Sequence, residues 1–352
     1  MSANRLSRRD FLKITASGGA AALGLYLGLD GEPRTTAVHE TRLLMGTVVN
    51  LTIICDDRQT AKNAITACFD HMTELEAVLS RFQPQSQLSK LNQTGVVADA
   101  HPALLGLIKQ SLELGDLTGG AFDITVKPLL DLYQAAPGIL PAPGKIEQAL
   151  KQVDYQKINL SGQVIAFQQP GMSITLDGIA KGFIVDEGVA VLKRFGFKNV
   201  LVEAGGDLMG LGEKAPQAPW KIGMQAPRKE MGSMMTTFNV QNRALATSGD
   251  YMQSFTLDFS EHHIIDPHHG HSPSELASAS IFALTAALAD GLATAVMVMG
   301  VQGIHLIENM ANCEAYLITK GLDVLKTSGV GGEKPIYQET GEASGQDIYW
   351  KI

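Results

Sequence analysis

The chain is poor in the residues that mark several simple functional classes. Only three of its 352 residues are cysteine, Cys55, Cys68 and Cys313, and no two share a CxxC spacing. That argues against a disulfide framework or a thiolate metal site and leaves the three thiols as small buried hydrophobes. Basic residues are outnumbered, with 28 Lys and Arg against 36 Asp and Glu, for a net charge of −8. Such a balance excludes sequence-independent nucleic-acid binding, which is driven by a basic surface neutralising phosphates. A small phosphate-bearing ligand stays open, because backbone N–H groups and a metal can hold one locally. Charged residues are only 18% and hydrophobic residues 45%, the balance of a globular chain rather than a disordered one. There is no GxxxxGK[ST] phosphate loop, no internal repeat and no low-complexity segment.

What is present begins at the N-terminus. Ser7-Arg8-Arg9-Asp10-Phe11-Leu12-Lys13 precedes an apolar, Ala/Gly-rich run from Ile14 to Leu29. The run is too weakly hydrophobic and too rich in glycine for a comfortable membrane span. The segment resembles a twin-arginine (Tat) export signal; a basic membrane-anchoring helix is the other reading. The expectation is a signal and linker over residues 1–36, then one functional domain over 37–352. It places the protein in the periplasm, membrane-tethered if the signal is not cleaved, with no stable membrane span after signal removal.

Downstream, hydrophobic periodicity alternates between helix and strand. Strands are expected at Val48–Ile54, Met172–Leu176, Val200–Glu203, Ala277–Leu284, Ala315–Thr319 and Leu322–Lys326. A hairpin over Ile158–Phe167 turns at Ser161-Gly162, and Trp220 to Ile265 reads mainly as antiparallel strands with a mobile tip at Pro227–Met235. Helices are expected at Gln59–Leu79, Leu104–Leu117, Lys127–Tyr133, Ile179–Phe195, Thr285–Met299 and Gln302–Asn309. Ser80–Asn92 and Ala135–Gly144 read as loops. The sum is an α+β fold of two lobes, with mixed, largely antiparallel sheets packed against helices.

Several segments carry residues suited to chemistry. Asp290 and Thr294 stand at i and i+4 on an otherwise apolar helix and share one face. A buried carboxylate must be satisfied, either by a hard cation such as Mg²⁺ or by a cap or salt bridge to a neighbouring loop. Gly178-Ile179-Ala180-Lys181-Gly182 is a strand-to-helix turn whose N–H groups and lysine suit a phosphate oxygen; a structural turn explains it equally. Ala204-Gly205-Gly206-Asp207 is a tight turn or a ligand loop. Phe122 beside Asp123 offers an aromatic edge and a carboxylate to a planar polar ring, or simply a core residue and a helix cap. Glu261 to His271 holds five of the nine histidines. It is a solvated loop, an adventitious metal site, or the source of a general base, with His263 held most firmly by the apolar residues that follow.

In order along the chain these pieces resemble the ApbE family, the FAD:protein FMN transferases. The matching segments are Met45-Gly46-Thr47; Leu79-Ser80-Arg81-Phe82 with Ser86 to Asn92; Gly120-Ala121-Phe122-Asp123; Gly178 to Gly182 with Asp186; Gly205-Gly206-Asp207; Ala246 to Tyr251; His263 to Pro267; and Ala289 to Thr294. The resemblance covers residues 40 to 320 and implies a T-fold-related, ApbE-like fold. It implies FAD contacts from Met45, Phe82, Ala121, Phe122, Asp123, Thr175, Lys181 and Ile264. It implies magnesium held by the Gly178 carbonyl, Asp290 and Thr294, with His263 near the reaction centre; the reaction needs a base, for which His263 first and Asp266 second are the candidates. The implied reaction moves FMN from FAD to a Thr or Ser hydroxyl and releases AMP. The implied partners are flavoprotein subunits of exported or membrane redox complexes. A metal-dependent FAD pyrophosphatase and a flavin-delivery module without chemistry are the alternatives. Three positions depart from the family pattern. Phe82 stands where tyrosine is common. Thr175-Leu176-Asp177-Gly178 replaces Asp-Leu-Gly-Gly, which puts threonine at the flavin-contacting aspartate and Asp177 at a usual glycine.

Overall fold

The computed structural model describes residues 35–331, apart from 136–137 and 229–233. The signal segment and the centre of the Pro227–Met235 tip therefore lie outside the described residues. The framework is an eight-stranded antiparallel sheet of order β1-β2-β6-β7-β10-β11-β12-β13. Its strands are β1 (Thr36–Leu44), β2 (Thr47–Cys55), β6 (Val200–Ala204), β7 (Asp207–Leu211), β10 (Arg243–Gly249), β11 (Leu276–Ala283), β12 (Glu314–Thr319) and β13 (Val324–Lys326). A three-stranded sheet joins β3 (Val96–Val97), β4 (Ile158–Ser161) and β5 (Val164–Phe167), and a ribbon pairs β8 (Trp220–Gln225) with β9 (Met234–Val240). The α+β class expected from the sequence is what the structure has.

The two-residue period of the strands decides how the layers stack. Val200, Val202, Ala244, Ala246, Ile281 and Leu317 point into the main core, which helices cover. Their neighbours Leu201, Leu245, Phe282 and Ile318 point to the opposite face and pack on Trp220, Ile222 and Phe238 of the ribbon. Both faces of the large sheet are therefore apolar, and both are covered. On the helical face lie α1 (Arg58–Leu79), α6 (Ala180–Arg194) and α7 (Ala286–Met299). The remaining helices are α2 (Gln87–Thr94), α3 (Pro102–Leu117), α4 (Lys127–Ala135), α5 (Pro143–Leu150) and α8 (Gly303–Glu308). A small satellite core joins Leu129, Leu130, Tyr133 and Ile146 to Ile265.

Helix α7 starts where its cap demands, with Thr285 accepting from the Leu288 N–H at 3.3 Å. The helical stretch Ala286–Glu308 is long and apolar enough to cross a membrane by length and composition, but 61% of its most apolar window is buried inside the fold. It is a core helix. Cys55, Cys68 and Cys313 are buried free thiols, as expected.

Some sequence expectations need correction. Strands β1 and β7 were not anticipated. Ser80–Asn92 is not all loop: Ser86 caps α2 by accepting from the Ser89 N–H at 2.9 Å, and Gly95 ends it at φ 75°. Met172–Leu176 is buried but is no strand, because Asn92 replaces the neighbouring strand. Its side chain accepts from the Ile174 N–H at 2.7 Å and donates to the Ile174 carbonyl at 2.9 Å. Antiparallel pairing ends at Gly249, and the segment to Glu275, including Ile264-Ile265-Asp266, is turns and irregular chain with one isolated bridge, Ser254 to His262.

Candidate active site

The site is built where α6 and α7 meet the glycine turn of β6 and β7. The two helices lock each other by exchanging caps. Asp186 on α6 accepts from the Ala286 and Ala287 N–H groups at 2.7 and 2.9 Å, at the open start of α7. Asp290 on α7 accepts in return from the Gly182 N–H at 3.1 Å. The approach is so close that a Cβ on Gly182 would lie 2.2 Å from the Ala286 carbonyl oxygen. This contact sets the Gly178–Lys181 turn against α7, where an ideal Cβ on Gly178 would lie 2.8 Å from Thr294 Oγ1. Thr294 Oγ1 is 3.3 Å from Ser248 Oγ.

Charge concentrates beside that contact. Lys181 forms a short ion pair with Asp207, the first residue of β7. Asp207 is fully buried, and its Oδ1 has no hydrogen-bond partner. Burial raises the Asp207 carboxyl, against the pull of Lys181. Burial raises Asp290 further, well above the usual carboxylate range, with the neighbouring Asp207 adding to it. Glu203 is raised by burial as well, while it accepts from the Gly206 N–H at 2.8 Å and from Asn50 Nδ2 at 2.6 Å. Burial works against the charge of Lys181, but Asp207 and Asp290 outweigh it and raise the ammonium. Three buried carboxyls thus share one lysine. The turn before Asp207 needs glycine: Gly205 has φ 55°, and a Cβ there would lie 2.5 Å from Thr47 Oγ1.

Among the described residues no group of three or more His, Cys, Asp or Glu is arranged to hold a metal ion. The donors that do converge are of another kind, the Asp290 carboxylate and Thr294 hydroxyl on one helix and the Gly178 backbone. They are hard oxygens, and the surplus of buried acid with an unpartnered Asp207 oxygen suits a small divalent cation. The residues fit the magnesium expected from the sequence.

His263 stands at the edge of this cluster. Its backbone N–H donates to the Gln253 carbonyl at 2.9 Å, and its Nδ1 lies 3.3 Å from the same oxygen. A proton on Nδ1 satisfies that contact and leaves Nε2 as an acceptor. Burial lowers His263 to about 4, while Asp177 and Asp250 oppose the shift and Lys181 adds to it. The imidazole is neutral at neutral pH. Asp266, the second expected base, instead closes a turn, accepting from the His268 N–H at 2.8 Å and lying 2.9 Å from His268 Nδ1.

The expected flavin contacts divide into groups. Met45 sits in the β1–β2 turn at φ 53°, packed on the main core. Phe82 is 70% exposed, with the Arg81 guanidinium 4.1 Å from its ring centre. Ala121, Phe122 and Ile264 are buried, and Phe122 and Ile264 belong to the main core. Asp123 is buried too; it accepts from the Thr125 N–H at 2.7 Å and the Tyr155 N–H at 3.1 Å. It also lines a cavity of about 330 Å³ with Gly120, Tyr155 and His268. Thr175 ties that region to the glycine turn, its N–H donating to the Ile124 carbonyl at 2.8 Å. The structure therefore gathers Gly178, Lys181, Asp290 and Thr294, with His263 within electrostatic reach of Lys181, while Asp123 lines the cavity beside Gly120 and His268. Sequence reading assigned no role to Asp207, Glu203 or Ser248. The Gly205-Gly206 pair before Asp207 was the available signal.

Comparison with known proteins places the chain in a family. The ApbE family model matches residues 45–317, and a twin-arginine translocation signal sequence matches residues 5–24. An FAD:protein FMN transferase of Vibrio cholerae serotype O1 is 28% identical over 324 residues, covering 89% of this chain and 97% of the relative. An FAD:protein FMN transferase of Escherichia coli K12 is 27% identical, covering 88% and 93%. The solved flavin transferase ApbE from Vibrio cholerae superposes with a TM-score of 0.74 at 28% identity, over 84% of this chain and 98% of that one. The ApbE protein of Thermotoga maritima gives 0.75 at 28% identity, over 83% and 97%. With a match extending over well more than half its length, the chain belongs to the ApbE family.

Proposed function

We propose that the protein is an exported FAD:protein FMN transferase. It moves the FMN half of FAD to a Thr or Ser hydroxyl of an acceptor protein. The observation that carries this reading is the meeting of half-buried Gly178, Lys181 and Thr294 with buried Asp207 and Asp290 in a chain of this family. The Gly178–Lys181 turn would hold the diphosphate through backbone N–H groups and the lysine. Asp290, Thr294 and the Gly178 carbonyl would hold magnesium, which supplies charge stabilisation at the phosphoryl oxygens when bound.

The acceptor hydroxyl oxygen attacks the FMN-side phosphorus. A new P–O ester bond forms, the anhydride bond breaks, and AMP leaves. The hydroxyl proton passes to His263 Nε2, which the Gln253 carbonyl leaves as the accepting nitrogen. The twin-arginine match supports export across the cytoplasmic membrane, and the periplasm is the compartment we assign. Flavin-bearing subunits of exported or membrane redox complexes are the acceptors that fit.

Incubation with FAD and magnesium, with and without an acceptor domain, tests the reading. We expect AMP release that depends on acceptor and matches the FMN gained by it. Rapid AMP and free FMN without acceptor would make the protein a pyrophosphatase instead.

A further inference from the structure

The mouth of the site carries an arrangement that the diphosphate chemistry does not use. Arg81 is a nearly buried arginine, its side chain 7% exposed, and its Nε donates to Asp177 Oδ2 at 2.7 Å. The same guanidinium lies 4.1 Å from the centre of the Phe82 ring. Phe82 itself is 70% exposed, with one face on the cation and the other turned to solvent. A large aromatic ring left open in this way gains nothing from burial. Its place over a fixed guanidinium makes it a flat platform with a held tilt.

Asp177 holds that guanidinium from the adjoining turn. Its N–H donates to Thr175 Oγ1 at 3.2 Å, so its backbone is fixed beside Gly178. Asp177 also lies close enough to act on His263. The platform and the proposed base thus share one end of the site. That end must receive the FMN half, because the FMN-side phosphorus is the atom attacked.

We propose that Asp177 is a positioning residue: through Arg81 it sets the angle at which Phe82 stacks on the isoalloxazine ring of FAD. The inference rests on the flavin-transferase reading and adds to it. Without Asp177 the guanidinium loses its anchor, the Phe82 ring samples other tilts, and stacking weakens. The diphosphate and adenylate contacts are untouched.

Equilibrium binding of FMN and of ADP, followed by flavin fluorescence and by calorimetry, separates the possibilities. Asp177→Ala and Phe82→Ala are each expected to weaken FMN on the order of three- to tenfold, the worth of one stacking contact. ADP affinity should stay at the wild-type value in both, which also reports that the variants are folded. The double variant should be no weaker than Phe82→Ala alone, and Asp177→Glu should restore part of the loss. Additive losses, an unchanged FMN affinity in Asp177→Ala, or a matching loss of ADP would each overturn the proposal. If the wild-type protein binds ADP but no FMN, the flavin reading itself falls, and the platform with it.

Discussion

On the proposed function Asp290 is the residue on which the chemistry turns, and its environment makes a replacement informative. It is buried, its carboxyl is raised by burial and by Asp207, and one oxygen already accepts from Gly182. Asp290→Asn keeps the shape and the backbone contact but removes the charge. We expect acceptor labelling to fall by roughly two orders of magnitude or more, the scale of losing electrostatic stabilisation at a phosphoryl centre, with the fold intact by circular dichroism. His263 leads to a pH prediction. Because burial lowers it to about 4, the neutral form dominates above pH 5. The acid limb of kcat/KM should therefore fall near pH 4 rather than near 6.5, and His263→Ala should abolish that limb along with most activity. At this scale the sequence was informative about identity and silent about state. Asp290, Thr294 and Lys181 could be named from their segments. That Lys181 pairs with Asp207 could not, since nothing local distinguishes a ligand loop from a tight turn at Gly205-Gly206-Asp207.

Among the elements, the crossing of α6 and α7 does the positioning. Gly182 permits it, and Gly182→Ala would drive a Cβ to 2.2 Å from the Ala286 carbonyl oxygen. Backbone cannot yield as a flexible side chain does. We expect a loss of about 3 kcal/mol or more in urea unfolding. Asp186 adds a pH-dependent term, because burial raises it to about 6 despite its two N–H donors. A carboxyl raised in the folded state favours folding below its unfolded value and loses that advantage as pH rises through the folded one. Relative to Asp186→Asn, wild-type stability should therefore decline by about 2 kcal/mol between pH 4 and pH 7. The elements themselves were unevenly legible. Helix α7 was placed to the residue, because Thr285 caps a continuous apolar run. Met172–Leu176 was misread, because an apolar run does not reveal that a side chain, Asn92, takes up its hydrogen bonds. Helix α2 was missed although Ser86 and Gly95 mark both of its ends, because its apolar face is too short to show a period.

For the whole molecule, a large sheet covered on both faces leaves chemistry to its rim. The β1–β2 turn at Met45, the Gly205-Gly206 turn and the end of β10 lie at the same end of that sheet, as the registers Val49–Ala204 and Ala204–Asp207 require. Residues 1–34 precede the family match, and removing them should leave FMN transfer in vitro at its full-length rate. Replacing Arg8 and Arg9 by lysine should retain the folded protein in the cytoplasm, measured by cell fractionation; unchanged export would remove the twin-arginine reading. The family and the α+β class were open to sequence reading because the motifs fall in order along the chain. The layering was not, since β1 and β7 carry no strong alternation of their own. The central claim, that Asp290 and Thr294 support cleavage of the FAD diphosphate in favour of a protein hydroxyl, meets its most direct test in intact-mass measurement of an acceptor domain. The domain is incubated with FAD and either wild-type enzyme or Asp290→Asn, with magnesium or with chelator. The account predicts one FMN phosphoester per acceptor with wild type and magnesium, and an unmodified acceptor in the other three reactions. Equal labelling by the Asp290 variant, or labelling undiminished by chelator, would contradict it.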